Sequence, residues 1–206
     1  MKRSEVAVFI IGLTGGIASG KSTASAILGR MGACIIDADR IARGVASPGQ
    51  EAFTEIVEAF GARILNEEGT INRKALAQRV FNDPQQLERL NRITHPRIIA
   101  AIGQELEHCR RNFDIAVVDA ALLVELNLTA MVDEVWLVCV DSSEQLRRLQ
   151  GREGMSEADA LKIIGAQMPQ EEKQKRVDVC IDNNGTVEFL EVQIKALWQQ
   201  RILNNG

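Results

Sequence analysis

A glycine-rich segment near the start of the chain constrains its fold more than any other feature. Residues 15–22 read Gly-Gly-Ile-Ala-Ser-Gly-Lys-Ser and fit the phosphate-loop pattern G-x-x-x-x-G-K-[ST]. An apolar run, Val6 to Leu13, precedes the segment like a buried parallel strand, and the small residues from Thr23 to Met31 follow it like a helix. This context favours a phosphate loop over an ordinary glycine turn.

The residue types in this loop predict which groups would hold a triphosphate. Glycines let the backbone turn so that successive N–H groups converge on one anion, and the following helix adds its positive end. Lys21 would reach the outer phosphates, and the hydroxyl of Ser22 is placed to bind Mg²⁺. We therefore expect ATP or a related triphosphate here, bound by Gly15, Gly16, Ile17, Ala18, Ser19, Gly20, Lys21, Ser22 and Thr23.

The bulk composition excludes several classes of partner. The net charge is −4, so no overall field attracts nucleic acid or an anionic membrane. No apolar run reaches the roughly 18 residues that would predict a membrane span. The apolar run near the N-terminus leads straight into the phosphate loop, so we do not interpret it as a removable signal. We expect a cytoplasmic protein, monomeric or a small homo-oligomer, without nucleic-acid or membrane partners.

The four cysteines are far apart in the sequence, and no C-x-x-C pair occurs. Metal and redox sites need tighter grouping. We therefore expect Cys34, Cys109, Cys139 and Cys180 to be buried free thiols in a reducing compartment.

Strand-like runs alternate with helical patterns along the chain, which predicts a parallel sheet covered by helices on both faces. Three prolines, Pro84, Pro96 and Pro169, precede helix-rich stretches and are expected to open helices. The predicted strands are Val6–Leu13, Ala33–Asp37, Asp114–Asp119, Glu134–Val140 and Val179–Asp182.

Two intervals between strands are longer than a single crossover helix requires. We expect residues 61–94 to form an inserted helical subdomain for a second substrate. We expect residues 147–176, which carry many charges, to form a mobile lid that closes on phosphates. The predicted nucleotide-binding core comprises the remaining ranges, 1–60, 95–146 and 177–206.

Several carboxylates follow predicted strands, where the ligand crevice of an open parallel sheet lies. Asp37 and Asp39 stand two apart and could orient a nucleophilic hydroxyl or assist a metal. The alternative for Asp39 is a cap of a helix beginning at Arg40, and spacing alone leaves both interpretations open. Asp119 ends an apolar strand, as does the aspartate that holds Mg²⁺ in phosphate-loop enzymes. Glu125 follows near the same edge, where a solvated glutamate is the alternative.

Basic residues are less informative. Arg148 and Arg152 are four apart, on one face if their segment is helical, and guanidinium groups suit phosphate oxygens. Solvated arginines paired with local glutamates are the alternative. His95, before Pro96, has no pattern of its own that favours catalysis over a structural role.

Taken in order, these segments make the chain resemble the dephospho-CoA kinase family over nearly its whole length. The phosphate loop alone fits many unrelated enzymes, but the ordered set is far more specific. Ala18 and Ala121 stand where the family often has Gly and Pro. The matching segments are Gly12 to Ser22, Asp37-Ala38-Asp39, Ile41-Ala42-Arg43, Asn72-Arg73, Ala75-Leu76, Val80-Phe81, His95-Pro96, Leu122-Leu123-Val124-Glu125, Gln145-Leu146 with Arg148 and Arg152, Gln167-Met168-Pro169, Glu172-Lys173 and Ile181-Asp182-Asn183-Asn184-Gly185.

The resemblance implies transfer of the γ-phosphate of ATP to the ribose 3′-hydroxyl of dephospho-CoA, giving CoA and ADP, with Mg²⁺ as cofactor. It implies an α/β fold: a three-layer P-loop kinase core with a five-stranded parallel sheet, a helical acceptor-binding insertion and a helical lid. Its implied catalytic residues are Asp39 as general base, Lys21 and Arg148. Other implied roles are the acceptor surface (Arg43, His95, Leu122 and Glu125), lid contacts of Arg148 and Arg152 with ATP, a loop near the adenine at Asn183 to Gly185, and a metal site of Ser22 and Asp119.

Three other interpretations stay open at this level. A phosphate-loop kinase of another small acceptor, such as a nucleoside monophosphate, shares most of these features. A GTP-dependent switch is disfavoured because the sequence contains no Asn-Lys-x-Asp motif. A non-catalytic ATP-binding scaffold would not need Lys21, Ser22 and Asp39 together.

Overall fold

The computed structural model describes residues 8–81, 83–153 and 155–204, apart from the side chains of residues 81, 152, 153 and 202–204. These residues form five strands and nine α-helices, with short 3₁₀ turns at Ala62–Ile64 and Leu128–Met131. The elements in chain order are β1 (Phe9–Gly15), α1 (Lys21–Arg30), β2 (Cys34–Asp37), α2 (Ala38–Val45), α3 (Glu51–Phe60), α4 (Arg73–Phe81), α5 (Pro84–Asn112), β3 (Ile115–Asp119), β4 (Glu134–Cys139), α6 (Ser142–Glu153), α7 (Glu157–Gly165), α8 (Gln170–Gln174), β5 (Val179–Asp182) and α9 (Val187–Asn204).

The five strands form one parallel sheet in the order β2-β3-β1-β4-β5. The predicted α/β fold with a five-stranded parallel sheet is confirmed. Strand ends differ by a few residues from the prediction, and Val6 lies outside the described residues. The first strand continues to Gly15 because its last residues pair with β4, where Gly15 lies opposite Val138.

The chain divides into two compact units, one of Met1–Ile36 with Leu106–Gly206 and the other of Asp37–Glu105. In the first unit, α1 and α9 pack together over one face of the sheet. Alternate residues of β1, β3 and β4 point into this layer, as the two-residue period of a strand requires. The buried set includes Ile11, Leu13, Ile27, Leu28, Ile115, Val117, Trp136, Val138, Leu190 and Ile194.

The second unit is a small helical assembly with its own core. Side chains from α3, the first 3₁₀ turn and α4 form a buried cluster of Ile56, Phe60, Ile64, Leu76 and Val80. Arg97 of α5 contacts carboxylates of α3, with Nη2 2.6 Å from Glu55 Oε1. The predicted boundaries and roles of the insertion and the lid remain predictions.

One proline does not behave as predicted. Pro84 opens α5, but Pro96 lies inside this helix. Thr94 Oγ1 donates to Leu90 O at 3.0 Å, and Arg97 Nη1 donates to Ile93 O at 2.8 Å. Pro96 itself has no N–H to donate to the preceding turn.

The expectation of four buried free thiols is wrong. Cys34 of β2 and Cys109 of α5 form a disulfide across 75 residues of sequence, with their Cα atoms 5.8 Å apart. The sheet brings them together, because α5 leads directly into β3 and β3 lies beside β2. Cys139 is a buried free thiol and Cys180 an exposed one.

Candidate active site

The phosphate loop connects the end of β1 to the start of α1. Ala18 has φ 57° and Gly20 has φ 94°, so the loop contains two left-handed residues within a short turn. Left-handed residues in a short turn are typical of an anion-binding nest. Helix α1 begins at Lys21 directly after the loop, and the N-terminus of a helix favours a bound anion.

A side chain at either end of this loop would have little space. A Cβ atom at Gly15 would lie 2.4 Å from Ser19 Oγ, and one at Gly20 would lie 2.0 Å from Asn183 Nδ2. Ala18, by contrast, carries a side chain in the left-handed region, which costs about 1–2 kcal/mol relative to a right-handed residue. Surrounding contacts must offset this cost.

Side chains from later elements surround the loop and bond to its backbone. Asn183 Nδ2 donates to Ser19 O at 2.7 Å. Arg148 Nη2 donates to Asn183 O at 2.6 Å, and its Nη1 lies 3.4 Å from both Ala18 O and Ser19 O. The predicted nucleotide residues Arg148 and Asn183 are therefore brought to the phosphate loop.

Arg148 is itself held in place by a carboxylate one helical turn earlier. Its Nε donates to Glu144 Oε1 at 2.8 Å, and Arg147 donates to both oxygens of the same group at 2.7 Å. Hydrogen bonds from Arg147 and then Arg148 lower the pKa of the Glu144 carboxyl to about 2. Glu144 therefore stays ionised at neutral pH and orients two guanidinium groups beside the loop.

A cavity of about 390 Å³ opens beside the phosphate loop. It brings the predicted Gly185 together with the loop, and it adds Arg147, which the sequence did not single out. The side chain of Arg152 lies outside the described residues, so its predicted contact with ATP stays a prediction. The lining residues are Ala18, Gly20, Ser22, Thr23, Arg147, Arg148, Gly151, Asn183, Gly185 and Val187.

Lys21 and Asp119 meet at the end of the sheet. Lys21 Nζ donates to Asp119 Oδ1, and the Asp119 residue is 8% exposed. The register explains this proximity, because Asp119 lies opposite Leu13 on the neighbouring strand, just before the loop. Two residues predicted from separate motifs thus belong to one site.

Glu125 occupies a different environment from the solvated one that was its alternative. Its Oε1 lies 2.9 Å from Nζ of Lys173, whose side chain is 1% exposed. Lys173 Nζ also donates to Ala121 O at 3.1 Å, as Thr14 Oγ1 does at 3.2 Å. Among the described residues neither Glu125 oxygen accepts a geometrically aligned hydrogen bond, so the contact with Lys173 is an ion pair.

Lys173 was absent from the predicted site, as were Gln145 and Gln167, which bond to Ile17. Their segments contributed to the family resemblance, but no local pattern assigned them a chemistry. Leu122, predicted for the acceptor, is 39% exposed in the same segment as Glu125.

The acceptor candidates of the second unit lie on two helices, Asp39 and Arg43 on α2 and His95 on α5. Asp37 Oδ1 accepts a hydrogen bond from Arg40 N at 2.7 Å and caps α2, which begins at Ala38. The alternative interpretation of Asp39 as this cap is therefore wrong, and Asp39 lies in the first turn of the helix. Arg43 Nη2 lies 4.0 Å from Asp37 Oδ2.

His95 has a buried Nε2 without a hydrogen-bond partner in the described part of the chain. Burial lowers the pKa of its imidazole, so the ring is neutral at pH 7. A neutral imidazole nitrogen can donate to or accept from an uncharged polar group, according to its tautomer.

Comparison with known proteins now decides the family. The family model for dephospho-CoA kinase, CoaE, matches residues 9–188. The chain belongs to the dephospho-CoA kinase family. The dephospho-CoA kinase of Geobacter sulfurreducens is 51% identical over 193 residues, which are 93% of this chain and 98% of that protein.

Solved structures agree with this membership of the dephospho-CoA kinase family. TT1252 from Thermus thermophilus superposes with a TM-score of 0.81 at 33% identity, covering 94% of this chain and 97% of that one. The dephospho-CoA kinase from Campylobacter jejuni superposes with a TM-score of 0.68 at 26% identity, covering 96% and 98%. The resemblance seen in the sequence is confirmed.

Proposed function

We propose that this chain is a dephospho-CoA kinase. It transfers the γ-phosphoryl group of ATP to the ribose 3′-hydroxyl of dephospho-CoA and releases CoA and ADP, the final step of CoA synthesis. The observation that carries this proposal is the match of residues 9–188 to the family model. The matched range includes the phosphate loop and the hydrogen-bonded pair of Lys21 and Asp119.

The nucleotide side of the reaction follows from the first unit. N–H groups of the loop and α1 bind the phosphates, and Lys21 and Arg148 neutralise charge on the transferred group. Most of the catalytic effect then comes from positioning and electrostatics, without a covalent intermediate.

Mg²⁺ fits the groups available here. The described residues hold no cluster of three or more acidic, His or Cys ligands. Mg²⁺ commonly needs only one or two protein oxygens when phosphates supply the others. Ser22 at the start of α1 and Asp119 beside Lys21 are the oxygens that would hold it, and the bound ion would neutralise phosphate charge.

The acceptor side is assigned to Asp39, Arg43 and His95, with Leu122 and Glu125. Asp39 acts as the general base, which its exclusion from capping supports. Arg43 and His95 contact dephospho-CoA, residues 61–94 form the helical acceptor-binding insertion, and residues 147–176 act as a lid that excludes water. Arg152 and Gly185 contact ATP.

The cellular location, the oligomeric state and the type of substrate are also proposed. We expect a cytoplasmic protein, a monomer or a small homo-oligomer, that acts on a small molecule and not on nucleic acid. No helix among the described residues is long and apolar enough to cross a membrane.

An acceptor panel tests the proposed reaction. Purified protein is incubated with Mg²⁺ and ATP and with dephospho-CoA, AMP, CMP or UMP, and ADP release is followed. We expect ADP release with dephospho-CoA and a product carrying a new 3′-phosphate by mass spectrometry and ³¹P NMR. Faster turnover of a nucleoside monophosphate would overturn the proposal in favour of that kinase class.

A further inference from the structure

We propose that Gln145 and Gln167 are positioning residues that hold the phosphate loop in its anion-binding conformation, and that Ala18 makes this support necessary. The inference rests on the ATP site proposed above. It assigns a role to two amide side chains that have no direct part in the chemistry.

Both polar backbone groups of Ile17 are occupied by these amides. Ile17 N donates to Gln167 Oε1 at 2.7 Å, and Gln145 Nε2 donates to Ile17 O at 2.6 Å. A Cβ atom at Gly16 would lie 3.0 Å from Gln145 Nε2 and 3.5 Å from Gln167 Oε1, so the amides also lie against the preceding residue. The peptide units on both sides of the Ile17 Cα atom are thus each held by one amide.

Ile17 is the residue immediately before Ala18, whose φ of 57° is in the left-handed region. The residue after it, Ser19, is fixed by Asn183 through its carbonyl at 2.7 Å. The strained residue is therefore held by side-chain hydrogen bonds on both sides. Glycine adopts this conformation without a steric cost, whereas alanine does so only when its surroundings impose it.

The two amides come from different places along the chain. Gln145 lies in the first turns of α6, and Gln167 follows α7 in the range predicted to be the lid. Their bonds to Ile17 span 128 and 150 residues of sequence. The shape of the loop therefore depends on the position of both segments.

Without the hydrogen bonds from Gln145 and Gln167, a smaller fraction of molecules would have the phosphate loop in its anion-binding conformation. If the nest is formed in only a fraction of molecules, the apparent dissociation constant for ATP rises by the inverse of that fraction. With Ala18 present, right-handed alternatives compete with the nest. With glycine at the same position the left-handed conformation is no longer penalised, so fewer molecules would leave it.

The test combines removal of the amides with replacement of Ala18. Gln145→Met and Gln167→Met keep the length of each side chain and remove its hydrogen bonds. We expect the pair of substitutions to weaken binding of Mg²⁺·ATP by about tenfold in the Ala18 protein, and by less than about threefold when A18G is also present. Titration calorimetry gives the affinities, and in turnover assays KM for ATP should rise by a larger factor than kcat falls.

Gln170→Met is the matched control. Gln170 also accepts a hydrogen bond from backbone, Val140 N at 3.1 Å, but it does not bond to the loop. Because Gln170 lies in the predicted lid, we expect a loss of ATP affinity in this variant that is smaller than the loss on removing Gln145 and Gln167, and thermal unfolding confirms that each variant is folded.

Three results would overturn the inference. The first is that removal of both amides leaves the affinity for Mg²⁺·ATP unchanged. The second is that this removal weakens ATP binding as much in the A18G protein as in the Ala18 protein. The third is that Gln170→Met weakens ATP binding as much as removal of both amides. An unmodified protein that fails to bind ATP would instead reject the ATP site itself, and this inference with it.

Discussion

Asp37 and Asp39 show how two similar carboxylates acquire different roles at neighbouring positions. Asp37 precedes α2 and its Oδ1 takes the N–H of Arg40, which is the bond that an N-cap makes. Asp39 is already inside the helix, where a side chain cannot cap the same turn. The sequence offered only Asp39 as a possible cap, for a helix beginning at Arg40, and did not indicate that Asp37 would take this position.

Asp39→Asn should lower turnover of dephospho-CoA by roughly 10²-fold or more, because the amide cannot take the proton of the attacking hydroxyl. Affinity for ATP should barely change. Steady-state ADP release and calorimetric titration of ATP measure the two effects.

Asp37→Asn is the control for that prediction. Asparagine is also a good N-cap, so this variant removes the same charge two residues away and keeps the helix start. We expect its turnover to change much less. Near-normal turnover of Asp39→Asn would exclude Asp39 as the base.

At the scale of elements, a buried ion pair joins α8 to the segment that follows β3. Lys173 is 1% exposed in its side chain and has Glu125 and Ala121 O as partners. Removal of one member leaves the other charge poorly solvated, whereas removal of both charges does not. The pair therefore matters for where the segment 121–125 lies.

Lys173→Met should lower the free energy of unfolding by roughly 3 kcal/mol, and adding Glu125→Gln should recover part of this loss. Urea denaturation of the single and double variants measures the difference. Lys175→Met is the control, since Lys175 pairs with Glu172 on the exposed surface and should contribute less than about 1 kcal/mol. Equal effects of the two lysine variants would contradict the buried-pair explanation.

Local patterns predicted the elements well and the contacts between them poorly. The loop and the strands around it have strong signatures, because an apolar run before G-x-x-x-x-G-K-S has few other interpretations. Gln145, Gln167 and Lys173 form hydrogen bonds with backbone groups that are distant in the sequence, and no sequence periodicity indicates such bonds. The Cys34–Cys109 disulfide was not predicted for the same reason, because only the strand order brings the two cysteines together.

The disulfide predicts how many of the four cysteines react with a thiol reagent. In denaturant and without reductant, two of the four cysteines should react with a thiol reagent, and all four after reduction. In the native protein Cys180 should react first, because burial raises the pKa of the Cys139 thiol to about 11. Four reactive thiols in the unreduced, denatured protein would contradict the disulfide.

At the scale of the whole molecule, carboxylates that gain partners on folding determine how stability varies with pH. Burial acts to raise the pKa of Glu134, but hydrogen bonds from Arg201 and Trp136 outweigh it and lower this pKa below 4.5. The pKa of Glu144 is lowered further, to about 2. In the folded state both groups resist protonation more than in the unfolded chain.

For these two carboxylates, stability should fall as the pH is lowered from about 4.5 towards 2, because the unfolded chain binds these protons first. The lowered pKa of His95 acts in the same direction, beginning near pH 6.5. Thermal unfolding between pH 7 and pH 3 measures the effect. Glu144→Gln should flatten the acid part of the curve, and a Tm that is constant over this range would contradict the explanation.

The disulfide also changes what happens when the backbone is cut. Cys34 lies just before the unit Asp37–Glu105 and Cys109 just after it, so the second unit is a covalently closed loop of chain. A protease that cleaves once anywhere inside this loop would leave a single molecule on a non-reducing gel, and reductant would split it into two fragments. The polypeptide can thus be cut once anywhere between Cys34 and Cys109 without losing a piece.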